Sequence, residues 1–166
     1  SVSSNITGDL DITTEENIKV VRVKSPNLKT NNFMRLINEI TLGRRIWNRT
    51  KDSIDYSGFN LVIYYSPTIF WAFLINKLKK NFRLKSYLVL RDIFPKWAAD
   101  LGLIKKYGLV YLFFKIHEYR LYSSADCIGV QSPKSKSYFE ENFYLKSFNP
   151  EVLYNWVQQE AEVNFN

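Results

Sequence analysis

Cysteine and histidine are almost missing from this chain of 166 residues, with Cys127 and His117 the single examples. One cysteine leaves no intrachain disulfide and no cysteine-based zinc site, and fits a reducing compartment. His117, beside Glu118 and Arg120 in a helical run, has no second histidine or cysteine to complete a metal set. There is no G-x-S-x-G elbow for Ser-His-Asp chemistry. Neither G-x-G-x-x-G nor G-x-x-x-x-G-K-[ST] occurs, so a dinucleotide or P-loop nucleotide site has no support. Helix-turn-helix, RNP and zinc-finger patterns are also missing, and nucleic acid is not an expected partner. The longest apolar stretches, near Ile69–Ile75 and Leu109–Phe114, fall far short of the ~20 residues that span a bilayer. Ser1–Asp11 lacks the basic flank and apolar run of a signal peptide.

What the chain does contain is globular. Hydrophobic residues make up 46% and aromatics 16%, against 6 Gly and 5 Pro, which excludes disorder and fibrous repeats. The length suits one α/β domain with its own core. The formal charge of +7 comes from Lys and Arg spread along the chain, with clusters at Arg44-Arg45, at Lys77 to Lys85 and at Lys105-Lys106. Such a surface favours anions: nucleic-acid phosphates, anionic lipid headgroups or sugar diphosphates.

Strand and helix signals alternate. Ile18–Val23 is short and β-branched, as a strand is, and Asn32–Arg49 carries apolar residues at helical spacing with Asn31 or Asn32 as N-cap. Leu61–Tyr65 is a continuous apolar strand, followed by a helix over Thr68–Lys80 with a basic end suited to the helix dipole. Ser86–Leu90, Cys127–Val130 and Glu151–Tyr154 read as further strands, and Leu109–Ser123 and Ser135–Asn142 as helices. The alternation predicts right-handed βαβ units and a mainly parallel sheet with helices on both faces. Binding sites in such sheets lie at the carboxyl ends of strands. Those ends are Ser66-Pro67, Arg91 to Pro95, Gln131-Ser132-Pro133 and Asn155-Trp156.

Arg91-Asp92, placed directly after a buried strand and before Phe94-Pro95, is the pair with most chemical potential. Asp92 can orient or deprotonate a sugar hydroxyl while Arg91 holds it or binds phosphate; alternatively the two form an ion pair or an N-cap that closes the loop. Gln131 and Ser132 can offer a hydroxyl and backbone N–H groups to an anion or sugar, or Ser132 can cap the following helix with Pro133 in its first turn. Ser66-Pro67 poses the same choice. In Thr68–Lys85 an aromatic run that includes Trp71 leads into Lys77, Lys79 and Lys80; it either rests on an anionic membrane surface or packs in the core with a solvated end.

Several ordered motifs resemble family 4 glycosyltransferases that build O-antigen or capsule polysaccharide. They are RDIFPKWAADLGLIKK from Arg91, Glu118-Tyr119-Arg120-Leu121-Tyr122, Ala125 to Pro133 (ADCIGVQSP), Tyr138-Phe139, and Val152 to Trp156 (VLYNW), and the likeness covers about Ile18 to Val157. The resemblance implies a GT-B enzyme of two Rossmann-like domains, with residues 1–157 as the acceptor-side domain, partial at its start and lacking the first strand-helix unit. Asn155 and Trp156 would enter the interdomain linker, 158–166 would begin it, and the donor-binding domain, expected to act as a partner, would lie outside this sequence. Arg91 and Asp92 would act as catalytic residues near the acceptor hydroxyl, with Ser66, Pro67, Gln131 and Ser132 on cleft loops. The implied reaction passes a sugar from a nucleotide diphosphate sugar to a lipid-linked glycan with retention, with no metal and no cofactor held by this domain. The implied location is the cytoplasmic face of the plasma membrane.

Overall fold

The computed structural model describes residues 9–24, 31–66, 68–142 and 148–154. Two strands open the described chain, β1 (Leu10–Glu15) and β2 (Ile18–Val23), paired antiparallel from Leu10 opposite Val23 to Glu15 opposite Ile18. The turn residues Glu16 and Asn17 both have positive φ, 47° and 66°, as a two-residue hairpin turn of primed type requires. Ile18–Val23 is thus a strand, as expected, but its partner is the neighbouring Leu10–Glu15 and it stands outside the parallel sheet. A two-residue connection permits antiparallel pairing alone; a parallel partner needs a crossover of a dozen residues or more. Arg49 ties this hairpin to the next helix, pairing with Asp9 at 3.3 Å and donating to the Lys24 carbonyl.

Helix α1 (Asn32–Thr50) starts at Asn31, whose side-chain oxygen accepts from the Met34 N–H at 2.9 Å. The parallel sheet follows: β3 (Leu61–Tyr65), β4 (Lys85–Leu90), β5 (Cys127–Val130) and β6 (Pro150–Val152), in spatial order β3-β4-β5-β6. Between them run α2 (Ala72–Phe82), the short α3 (Lys96–Asp100), α4 (Leu109–Ser124) and α5 (Pro133–Asn142). This is an α/β, Rossmann-like parallel sheet flanked by helices.

Strand order sets the layering. When each right-handed crossover steps to the next strand in the same direction, every connecting helix lands on the same side of the sheet. Tyr64, Leu88, Leu90, Ile128 and Val130 face that side and pack with Ile69, Phe70 and Ile75 near α2, Leu121 and Tyr122 of α4, and Phe139 of α5. The alternate residues Leu61, Ile63 and Tyr65 on β3 are exposed, and Leu61 to Tyr65 pair with β4 alone among the described strands. A doubly wound cover of both faces needs a reversal of strand order, and the described strands contain none.

Polar bonds fix the start of the sheet. Asp126, in the turn after α4, accepts from the Ser86 N–H at 2.8 Å, the Ser86 hydroxyl at 2.9 Å and Lys79 Nζ at 2.9 Å. Lys79 Nζ also donates to the Ser124 carbonyl at 3.1 Å. One ionised side chain thereby joins α2, β4 and the α4–β5 turn.

Candidate functional site

The loops after β3 and β4 meet at the carboxyl rim of the sheet. Ser66, buried at the end of β3, accepts from the Arg91 backbone N–H at 3.2 Å, and its own N–H donates to the Val89 carbonyl at 3.2 Å. Residues 91–95 then lead into α3. Above this rim lies the N-terminal half of α1, and the space between is a cavity of about 430 Å³. Asn32, Arg35 and Glu39 of α1 line one wall, Ser66 and Thr68 the floor, and Asp92, Phe94, Trp97 and Phe114 the other wall.

The polar side of this cavity is a short chain of contacts. Arg35 Nε stands 3.3 Å from Glu39 Oε1, one helical turn on, and Thr68 Oγ1 donates to Glu39 Oε2 at 3.5 Å. The Arg35 side chain is 63% exposed and that of Glu39 31%, so water screens the pair and its stabilising value is at most about 1 kcal/mol. The pair holds the two groups in place while leaving them accessible to a ligand. Phe94 packs against Trp97 and Phe114, with ring centroids 5.8 and 4.8 Å apart, and these rings supply the apolar side.

A second cavity of about 460 Å³ adjoins the first, lined by Arg91, Asp92, Lys96, Trp97, Asp100, Lys134, Tyr138 and Glu141. Asp92 and Trp97 line both, so Asp92 sits exposed on the ridge between them. Lys96 is paired with Asp100 one turn along α3, and its ammonium also lies 5.8 Å from the centre of the Tyr138 ring.

The expected site residues divide into groups. Ser66, Arg91 and Asp92 come together at this rim. Ser132 Oγ accepts from the Ser135 N–H at 3.2 Å, with Pro133 opening α5: it has the cap role, and neither Gln131 nor Ser132 lines the two cavities. Pro67, Asn155 and Trp156 lie outside the described residues. The α2 stretch gives its apolar residues to the core: Ile69, Phe70, Ile75 and Leu78 are buried, and the half-buried Trp71 donates from its indole to the Tyr65 carbonyl at 3.1 Å. Lys79 is held by Asp126 and Ser124, while Lys77 and Lys80 are exposed.

Sequence reasoning missed Arg35, Glu39 and Thr68. The four-residue spacing of Arg35 and Glu39 is legible in the chain as a helical pair. Their position over the sheet rim depends on how α1 packs on α2, and local sequence does not encode that. Burial lowers the pKa of His117, aided by the nearby Arg120, so neutral imidazole predominates near pH 7; its ring packs against Phe70 and Phe113 at 4.8 and 4.7 Å. Among the described residues no group of His, Cys, Asp and Glu could hold a metal ion, and no helix is long and apolar enough to cross a membrane.

Two carboxylates, a guanidinium, two hydroxyls and four aromatic rings line one open cavity, a set of groups able to hold a polyol. The carboxylates can accept from ligand hydroxyls, the rings can cover apolar C–H faces, and Arg35 can meet an anionic group. Comparison with protein-family models finds none that matches the chain, and comparison with curated proteins finds no match.

Proposed function

We propose that this chain is the acceptor-binding part of a glycosyltransferase that moves a sugar from a nucleotide diphosphate sugar to a lipid-linked glycan in surface polysaccharide synthesis. The observation that carries the reading is the cavity at the carboxyl ends of β3 and β4, lined by the carboxylates Glu39 and Asp92 together with Phe94, Trp97 and Phe114. Pockets of this size that combine an apolar lining with a few convergent polar groups suit small ligands. The motif likeness from Arg91 to Trp156 supplies the reaction class, which is retaining glycosyl transfer within a GT-B enzyme. In that reading Asp92 takes or orients the proton of the attacking acceptor hydroxyl, and Arg91 and Arg35 meet the diphosphate of the lipid carrier. In the same reading the nucleotide sugar is held by a separate donor-binding domain.

Saturation-transfer NMR with a short-chain polyprenyl-diphosphate sugar tests the proposal. Transfer to the sugar protons that is lost in Trp97→Ala supports it. Transfer that Trp97→Ala and Asp92→Asn leave untouched refutes the assignment of this cavity.

A further inference from the structure

Helix α4 is apolar around most of its circumference, a composition expected of a helix enclosed on all sides. It is not enclosed. Tyr111, Glu118, Leu121 and Tyr122 turn inward and are buried, whereas Leu109, Leu112, Phe113 and Ile116 point outward. Their spacing of three, four and seven residues makes one continuous stripe along two turns, with Leu109 87% and Ile116 53% exposed. Leu101, Leu103 and Tyr107 in the preceding loop are exposed as well. A contiguous apolar surface of this kind marks a binding face, because scattered exposure of single residues does not produce a stripe.

Charge identifies the occupant. Between Asp100 and Glu118 the chain has no carboxylate and three lysines, of which Lys105 and Lys106 are exposed and Lys115 pairs with the buried Glu118. Arg120, exposed, continues the stripe one turn beyond Ile116. Arg120 lines a groove with Arg44, whose guanidinium carbon lies 5.2 Å from the centre of the Phe73 ring. Cations thus bracket an apolar stripe at both ends. An interfacial helix has the same chemistry, burying apolar side chains at the headgroup boundary and setting cations among anionic headgroups.

We infer that the outward stripe of α4, with the loop before it, is the surface by which this protein docks on an anionic lipid bilayer. The inference deepens the acceptor reading, since it gives the cavity a membrane side. Phe113 packs against Phe114 at 5.3 Å, and Phe114 lines the cavity and packs on Phe94, so an aromatic path joins the docking face to the site. Helix α2, which buries Ile75 and Leu78 in the core, presents Phe73, Lys77 and Lys80 outward and contributes charge without an apolar stripe.

The test is cosedimentation of the full chain with phosphatidylcholine vesicles with and without phosphatidylglycerol. Binding to the anionic vesicles is expected, weakening with salt. Leu109→Glu with Ile116→Glu, both at exposed positions, reduces it roughly tenfold or more. Lys105→Glu with Lys106→Glu weakens it, and Lys77→Glu with Lys80→Glu has the smallest effect. Near-UV circular dichroism checks that each variant keeps its packing. The inference is overturned if the α4 substitutions leave vesicle binding intact. It is also overturned if the wild-type chain ignores vesicles, including the case where it self-associates through a contact that Leu109→Glu abolishes. Vesicle binding together with no affinity for any polyprenyl-diphosphate sugar keeps this inference and removes the acceptor reading.

Discussion

Replacing Asp126 with Ala destabilises the fold in a way that depends on pH. Three donors converge on this carboxylate: the Ser86 N–H, the Ser86 hydroxyl and Lys79 Nζ. Ser86 is buried, so removal of the carboxylate strands a backbone donor out of reach of water, at about 1–3 kcal/mol. The Lys79 contribution is smaller, because the two side chains are 25% and 38% exposed and solvent screens the pair. A total near 2 kcal/mol follows, or a fall in Tm of about 4–8 °C for a domain of this size. Burial pushes the Asp126 pKa up, but hydrogen bonds from Lys79 and Ser86 outweigh it and hold the carboxyl below its ordinary 3.8. A depressed folded pKa gives stability that is fully present above the unfolded value and lost as pH falls through the folded one. Urea unfolding of wild type and variant at pH 7 and at steps below 3.8 measures the gap. A gap under about 0.5 kcal/mol at pH 7, or one unchanged by acid, refutes the reasoning.

Other substitutions probe other parts of the fold. A Cβ at Gly129 would lie 2.5 Å from the Tyr87 hydroxyl and 3.0 Å from Leu153 Cβ, so Gly129→Ala displaces Tyr87 from its 2.6 Å bond to Glu151; it costs about 1–3 kcal/mol in chemical denaturation. Ile63→Lys on the exposed side of β3 raises the concentration at which light scattering finds the chain monodisperse, because a charge blunts an open strand edge. Leu88→Ala, at a fully buried sheet position, lowers stability by about 2–5 kcal/mol, again measured by urea unfolding.

Much of the fold was written in local pattern. The apolar runs of β3, β4 and β5 and the long helices α1 and α4 are legible because burial of a whole strand or of a helical face leaves a periodic trace. β1 was not, since LDITTE mixes polar residues with few apolar ones and its partner is set by the turn at Glu16-Asn17. Helix α2 starts at Ala72, four residues after the expected Thr68, because Ile69 and Phe70 are drawn into the core before the helix begins. Helix α3 was not foreseen, its five residues too few to show a period. At the site, Asp92 was legible from its place after a strand. Glu39 was not, because its place in the cavity wall depends on how two helices pack.

The destination of the α2 aromatics shows the same limit. Of the two longest apolar stretches, only the one leading into Lys77, Lys79 and Lys80 was weighed for membrane contact; tertiary packing buries most of that one and leaves the stripe on α4 outside. Composition cannot tell which of two apolar helices the sheet will cover.

Isothermal titration decides whether this chain binds a lipid-linked acceptor in the cavity above β3 and β4, as proposed. The chain is titrated with a soluble polyprenyl-diphosphate sugar and, separately, with a nucleotide diphosphate sugar, in wild type and in an Asp92→Asn, Glu39→Gln variant. Binding of the polyprenyl-diphosphate sugar alone is expected, weakened about tenfold or more when both carboxylates are neutralised. Tight binding of the nucleotide sugar, or polyprenyl-diphosphate binding that ignores the two substitutions, contradicts the proposal.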